Sequence, residues 1–167
     1  MKVAVAQGLL NSHSYTKYRA IVTDLLSQGK VSGHQQSADL VHYTELNEAR
    51  MNRLDKKIEI AEEVVQKLLQ LKKQYIWLVL AEGWCGDAAQ LLPIMNKMAN
   101  FSQHIDLKIA FRDENESLMN MFLTNGNKAI PKLIVLDKEA EKVLGNWGAR
   151  PKGADQLIKS YKQQYGV

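Results

Sequence analysis

The chain has one cysteine among its 167 residues, and that scarcity excludes more than any other feature. A single thiol cannot close an internal disulfide and cannot build a cysteine-ligated zinc or iron–sulfur site. A lone thiol also suits a reducing compartment better than the oxidising exterior, so a cytoplasmic location is expected. Long apolar runs are missing too. No segment is apolar over the ~20 residues that a membrane-spanning helix needs, so no membrane partner is expected. The opening Met1–Leu10 run is too brief, and lacks a clear cleavage site, to read as a signal peptide. There is no glycine-rich phosphate loop, no nucleophilic serine motif and no pair of carboxylates at catalytic spacing. His13, His34, His42 and His104 are scattered, without the spacing of metal ligands. No metal or cofactor is therefore expected. The net charge of +4 is spread among acids and forms no dense basic block, which gives nucleic-acid binding little support.

What is present describes an ordinary globular chain. Apolar residues make up 46% and charged residues 24%, and the length is enough for one core with an appendage. Residues 1–12 carry no strong period. From His13, apolar residues Tyr15, Tyr18, Val22, Leu25 and Leu26 recur at helical spacing, with Ser14 as N-cap and Gly29 as stop. A polar loop follows, and a second helical stretch begins near Ser37 with Leu40, Tyr43, Leu46 and Met51. Ile58, Ala61, Val65, Leu68 and Leu71 form the clearest stripe, in a helix over 54–74. Asp55 either caps a new helix there or lies within one long helix from about 40 to 73.

The pattern then changes to alternating elements. Tyr75–Ala81 reads as a buried strand and Ala88–Met98 as a helix containing Pro93, which should kink it. A strand over 105–111 and a helix over 116–123 follow. A strand over 132–136, a hairpin turn at Asp137–Glu141, a short strand over 142–144 and a helix over 154–165 complete the chain. This order predicts parallel strands with helices on both faces, closed by an antiparallel hairpin. Residues 1–56 read as a helical extension packed on the core, and 57–167 as the α/β domain.

Cys85 stands between the strand and the helix, in Glu82-Gly83-Trp84-Cys85-Gly86-Asp87-Ala88. Free backbone amides and the positive end of the helix dipole should point at a thiol in that position, which favours the thiolate. Asp87 puts a negative charge beside the sulfur and opposes ionisation. The residue pattern leaves the balance between the two open.

Trp84-Cys85-Gly86-Asp87 resembles the Trp-Cys-Gly-Xaa active-site turn of the thioredoxin-like family. Pro93 falls where that family has its helix-kinking proline. Ile130-Pro131 resembles its cis-proline loop, and Gly145 and Gly148 resemble the small residues lining its groove. The chain is also similar to a bacterial group of thioredoxin family proteins. That likeness takes in Trp-Cys-Gly-Asp-Ala-Ala-Gln at 84–90, Arg50–Lys56, Leu123–Gly126 and Trp147–Pro151. The resemblance implies a thioredoxin-like fold, with a mixed sheet of four or five strands; the family's first strand has no obvious counterpart, which favours four. It also implies a groove formed by Trp84, Gly86, Asp87, Ala88, Ile130, Pro131, Trp147 and Gly148 around a catalytic Cys85.

Two departures from the family bear on mechanism. The resolving cysteine of a dithiol enzyme is replaced by Ala88, and the strand Ile76–Ala81 lacks the family's buried acid. The expected function is thus reversible monothiol chemistry or redox sensing, with protein or small-molecule thiols and disulfides, glutathione included, as partners. The alternative is a non-catalytic module that binds a peptide or protein in the same groove.

Overall fold

The computed structural model describes residues 1–140 and 142–166. Glu141, assigned above to the hairpin turn, lies outside the described residues.

Four helices precede the first strand: α1 Lys2–Leu10, α2 Tyr15–Ser27, α3 Ala38–Lys57 and α4 Glu62–Leu69. Helix α1 has no sequence signature because it is apolar nearly all round. Val5 and Gly8 are buried while Val3 and Leu10 are exposed, so no polar face marks a period. In α2 the Ser14 hydroxyl accepts from the Lys17 amide, and in α3 the Ser37 hydroxyl accepts from the Leu40 amide. Neither form expected around Asp55 occurs. Helix α3 runs through Asp55 and stops at Ile58, and α4 starts at Glu62. The β-branched Ile58 and Ile60 sit in the gap. Lys56 and Lys57 at one terminus, and Glu62 and Glu63 at the next, suit the helix dipoles on either side.

The remaining elements are β1 Tyr75–Ala81, α5 Gly86–Asn100, β2 Ile105–Phe111, α6 Glu116–Met119, β3 Lys132–Asp137, β4 Val143–Trp147 and α7 Lys152–Tyr165. A 3₁₀ turn at Asp113–Asn115 leads into α6, which is shorter than the helix expected over 116–123. Together these elements form a four-stranded mixed sheet with flanking helices, the α/β arrangement that the resemblance implies.

The strand order is β2-β1-β3-β4. Only β1 and β2 are parallel. Strand β3 runs antiparallel to β1, and β4 antiparallel to β3, which corrects the all-parallel arrangement expected ahead of the hairpin. After the single-turn α6 the chain stays at the end of the sheet where β1 finishes. Lys132 therefore pairs with Leu80, and Leu133 with Val79. This reversal brings the loop before β3 to the turn after β1. The outer edge of β2 is partly covered by one residue, His13, which exchanges two backbone hydrogen bonds of 2.8 Å with Ile109.

The core joins Leu78, Leu80, Ile109, Ile134 and Leu136 of the sheet to Leu92 and Met95 of α5 and to Tyr18 and Val22 of α2. Trp77 is only half-buried and packs at the edge of this cluster. No helix among the described residues is long and apolar enough to cross a membrane.

Candidate functional site

The polypeptide leaves β1 at Ala81 and turns through Glu82-Gly83-Trp84 into α5, with Cys85 as the N-cap residue. The Cys85 amide donates to the Glu82 carbonyl at 3.1 Å and closes the turn. Facing it is the loop before β3, where the Ile130–Pro131 peptide bond is cis. The Cys85 Sγ donates to the Ile130 carbonyl at 3.5 Å. Strand antiparallelism thus brings together residues 45 apart in sequence.

The thiol is 9% exposed. Burial pushes its pKa up. The Ala88 amide pulls it down, the Asp87 carboxylate pushes it up, and the Asp87 amide and Arg112 guanidinium pull it down, leaving it raised. The helix amides do reach the sulfur as the strand–helix junction predicts, but they do not lower its pKa overall. Desolvation outweighs them, because few water molecules remain to stabilise a thiolate. Asp87 is itself committed, through a 2.6 Å ion pair with Arg150.

Trp84 is half-buried and fixed on two sides. Its indole N–H donates to the Ser32 carbonyl at 3.1 Å, and the Arg112 guanidinium lies over the ring at 5.0 Å from the centroid. Arg112 is held in turn by Asp113. Gly86 is exposed and Ala88 buried, the latter facing the core where a resolving thiol would stand.

Gly148 has a requirement of its own. Its φ is 135°, and a Cβ there would overlap the Pro131 carbonyl oxygen. Only glycine lets the two loops approach this closely. Gly145 pairs with Val135 inside the sheet instead. Trp147 is 37% exposed in β4, opposite Leu133, and, like Ala88 and Pro131, does not line either cavity beside Cys85.

Two cavities meet at Cys85. One, of about 640 Å³, lies between α3 and the start of α5. It is lined by Leu40, Tyr43, Leu46, Asn47 and Arg50, together with Trp84, Gly86 and Arg150. The other, of about 520 Å³, lies on the cis-proline side, against Ile130, Thr124, Gly148, Arg112, Lys128 and Lys152.

Sequence reasoning missed two groups here. Asn47 of α3 is buried and donates from Nδ2 to the Gly83 carbonyl at 3.0 Å, so the N-terminal segment builds part of the site. An Asn three residues before Arg50 on an otherwise mixed helix gives no sign of this. Glu82 is fully buried one residue beyond the strand that lacks an acid. Its carboxylate accepts from the Ser32 hydroxyl and from the Asp113 amide at 2.9 Å. Burial lifts its pKa to about 7. These bonds turn the carboxyl towards the 32–34 loop and the 3₁₀ turn, so its place is at the base of the site. The signal available was an acid flanked by apolar strand residues and Gly83.

Comparison with known proteins agrees with this architecture. A family described as Thioredoxin matches residues 33–162. The match takes in α3 as well as the α/β elements. No curated protein matches. Among solved structures, a protein of unknown function from Pseudomonas aeruginosa is 22% identical, with a TM-score of 0.57 over 90% of this chain and 88% of its own. An HIV epitope-scaffold is 21% identical, with a TM-score of 0.57 over 89% and 87%.

Proposed function

Because the chain belongs to the thioredoxin family, we propose that it performs monothiol disulfide exchange at Cys85, in the cytoplasm or another reducing compartment. The observation that carries this reading is the meeting of Cys85 Sγ, the α5 amides and the cis Ile130–Pro131 loop at the junction of two open cavities. In the first step Cys85 loses its proton to solvent, and the thiolate attacks one sulfur of a partner disulfide. A Cys85–partner S–S bond forms as the partner's own S–S bond breaks, and the departing thiolate takes up a proton. Ala88 offers no second thiol. A thiol from solution, such as glutathione, therefore attacks the partner sulfur, forms a new disulfide with it and releases Cys85. The resting thiol is protonated, so exchange accelerates as pH rises.

The raised pKa favours a second reading of the same groove, a module that holds a peptide beside Ile130–Pro131 without chemistry. Intact-mass spectrometry with a peptide disulfide separates the two. Exchange predicts an adduct on the native chain that Cys85→Ser abolishes and excess glutathione reverses. Undiminished capture by Cys85→Ser, with no adduct on the native chain, would sink the exchange reading.

A further inference from the structure

The two cavities at Cys85 are built from different materials. The cis-proline side is lined in large part by loop residues around 124–130 and 148–150, where the main chain is not used up by a helix. An extended peptide needs such main-chain partners. The α3 side is walled by the middle of α3, whose backbone groups are bonded within the helix, and by the Trp84–Asp87 turn with the first turn of α5, whose free amides face the Cys85 sulfur. On the α3 wall the side chains do the recognising, and the cavity volume of about 640 Å³ is in the range of small-ligand sites.

Those side chains form an apolar side and a charged end. Tyr43 and Leu46 are 56% and 46% exposed, and Leu40 continues their surface. Arg50 stands at the charged end. Its Nη1 donates to Asn47 Oδ1 at 2.6 Å, and Asn47 is anchored to the Gly83 carbonyl. Among the described residues no carboxylate forms an ion pair with Arg50, whereas Arg150 is spent on Asp87. A Cβ on Gly86 would lie 3.6 Å from Arg50 Nη1, so the guanidinium sits against the residue that follows the thiol. An oriented guanidinium with free donors is a carboxylate site.

We infer that the α3 cavity is a subsite for a small disulfide bearing a carboxylate, which docks on Arg50 while the apolar part lies on Tyr43 and Leu46. The inference rests on the exchange chemistry above. Cys85, after giving its proton to solvent, attacks the nearer sulfur; the ligand's S–S bond breaks, and the outer half leaves as a thiolate.

The test uses two aryl disulfides on the full chain: 5,5′-dithiobis(2-nitrobenzoic acid), which carries carboxylates, and neutral 4,4′-dithiodipyridine. The absorbance of the released half is followed at one pH. Arg50→Gln should slow the carboxylated reagent about tenfold, as expected for loss of one charge-assisted hydrogen bond, and leave the neutral reagent within about twofold. Arg50→Lys, which keeps the charge, should fall between, and Arg53→Gln on the same helix should change neither rate. Equal slowing of both reagents, or no slowing, overturns the subsite. So does slowing of the carboxylated reagent by Lys128→Gln in place of Arg50→Gln. Failure of both reagents on the native chain, with full reaction after unfolding, overturns the exchange reading itself.

Discussion

Helices α3 and α7 each border a cavity at Cys85, yet they are held in opposite ways. Helix α3 buries Thr44, Asn47 and Met51 and packs along α5 and α2. Arg19 of α2 grips it, with Glu48 at 3.0 Å, Asp55 at 2.7 Å and Asn52 at 2.7 Å, three residues along one face of α3. Helix α7 buries no residue and leaves Leu157, Tyr161 and Tyr165 exposed. Both helices are amphipathic in sequence. The difference shows that an apolar stripe fixes a helix only where another element offers a surface to receive it. The α3 cavity is therefore preformed, while the cis-proline cavity is bounded in part by a lightly attached helix.

Paired substitutions break or sharpen this contrast. Met51→Ala in α3 should cost about 2–5 kcal/mol, since it empties a filled core position, while Leu157→Ala in α7 should change stability by at most about 0.5 kcal/mol. Chemical denaturation of the two variants checks this, and equal losses would mean that α7 is as firmly packed as α3. Glu82, buried beneath the site, is tested by pH. Its pKa rises on folding from the ordinary 4.5 to about 7, so its contribution is fully present below about pH 4.5 and lost as pH rises through about 7. The loss should approach about 3 kcal/mol, and Glu82→Gln should flatten that part of the melting-temperature profile against pH. A native profile already flat over this window would refute the burial argument. The smallest of the losses expected around α3 is the clamp: Arg19→Ala should cost about 2 kcal/mol by leaving Glu48 and Asp55 uncompensated in a partly buried network, measured by thermal melting.

Much of the fold was legible in the residues. The strands over 75–81, 105–111 and 132–136, and the capped α2, were marked by apolar runs, period and punctuation. Helix α1 was not, because a helix apolar nearly all round shows no period. The direction of β3 was not either, since pairing direction depends on where the connection travels. For the site, Trp84, Cys85, Gly86, Asp87, Ile130 and Gly148 were named from sequence and line the cavities, whereas Ala88, Pro131 and Trp147, also named, do not. Asn47, Arg50 and Glu82 were given no role in the site because polar residues on a helix or beside a strand read as solvated. Their roles come from neighbours distant along the chain.

The sequence by itself determined that one thiol stands at a strand–helix junction with no second thiol to resolve it, because those are facts of residue identity and local order. Tertiary structure alone decided how much water reaches that thiol, and so that burial outweighs the helix amides. It also decided that α3 forms one wall of the site and that Arg50 comes to rest against Gly86, the residue after the thiol, since desolvation and long-range packing depend on which segments meet in space.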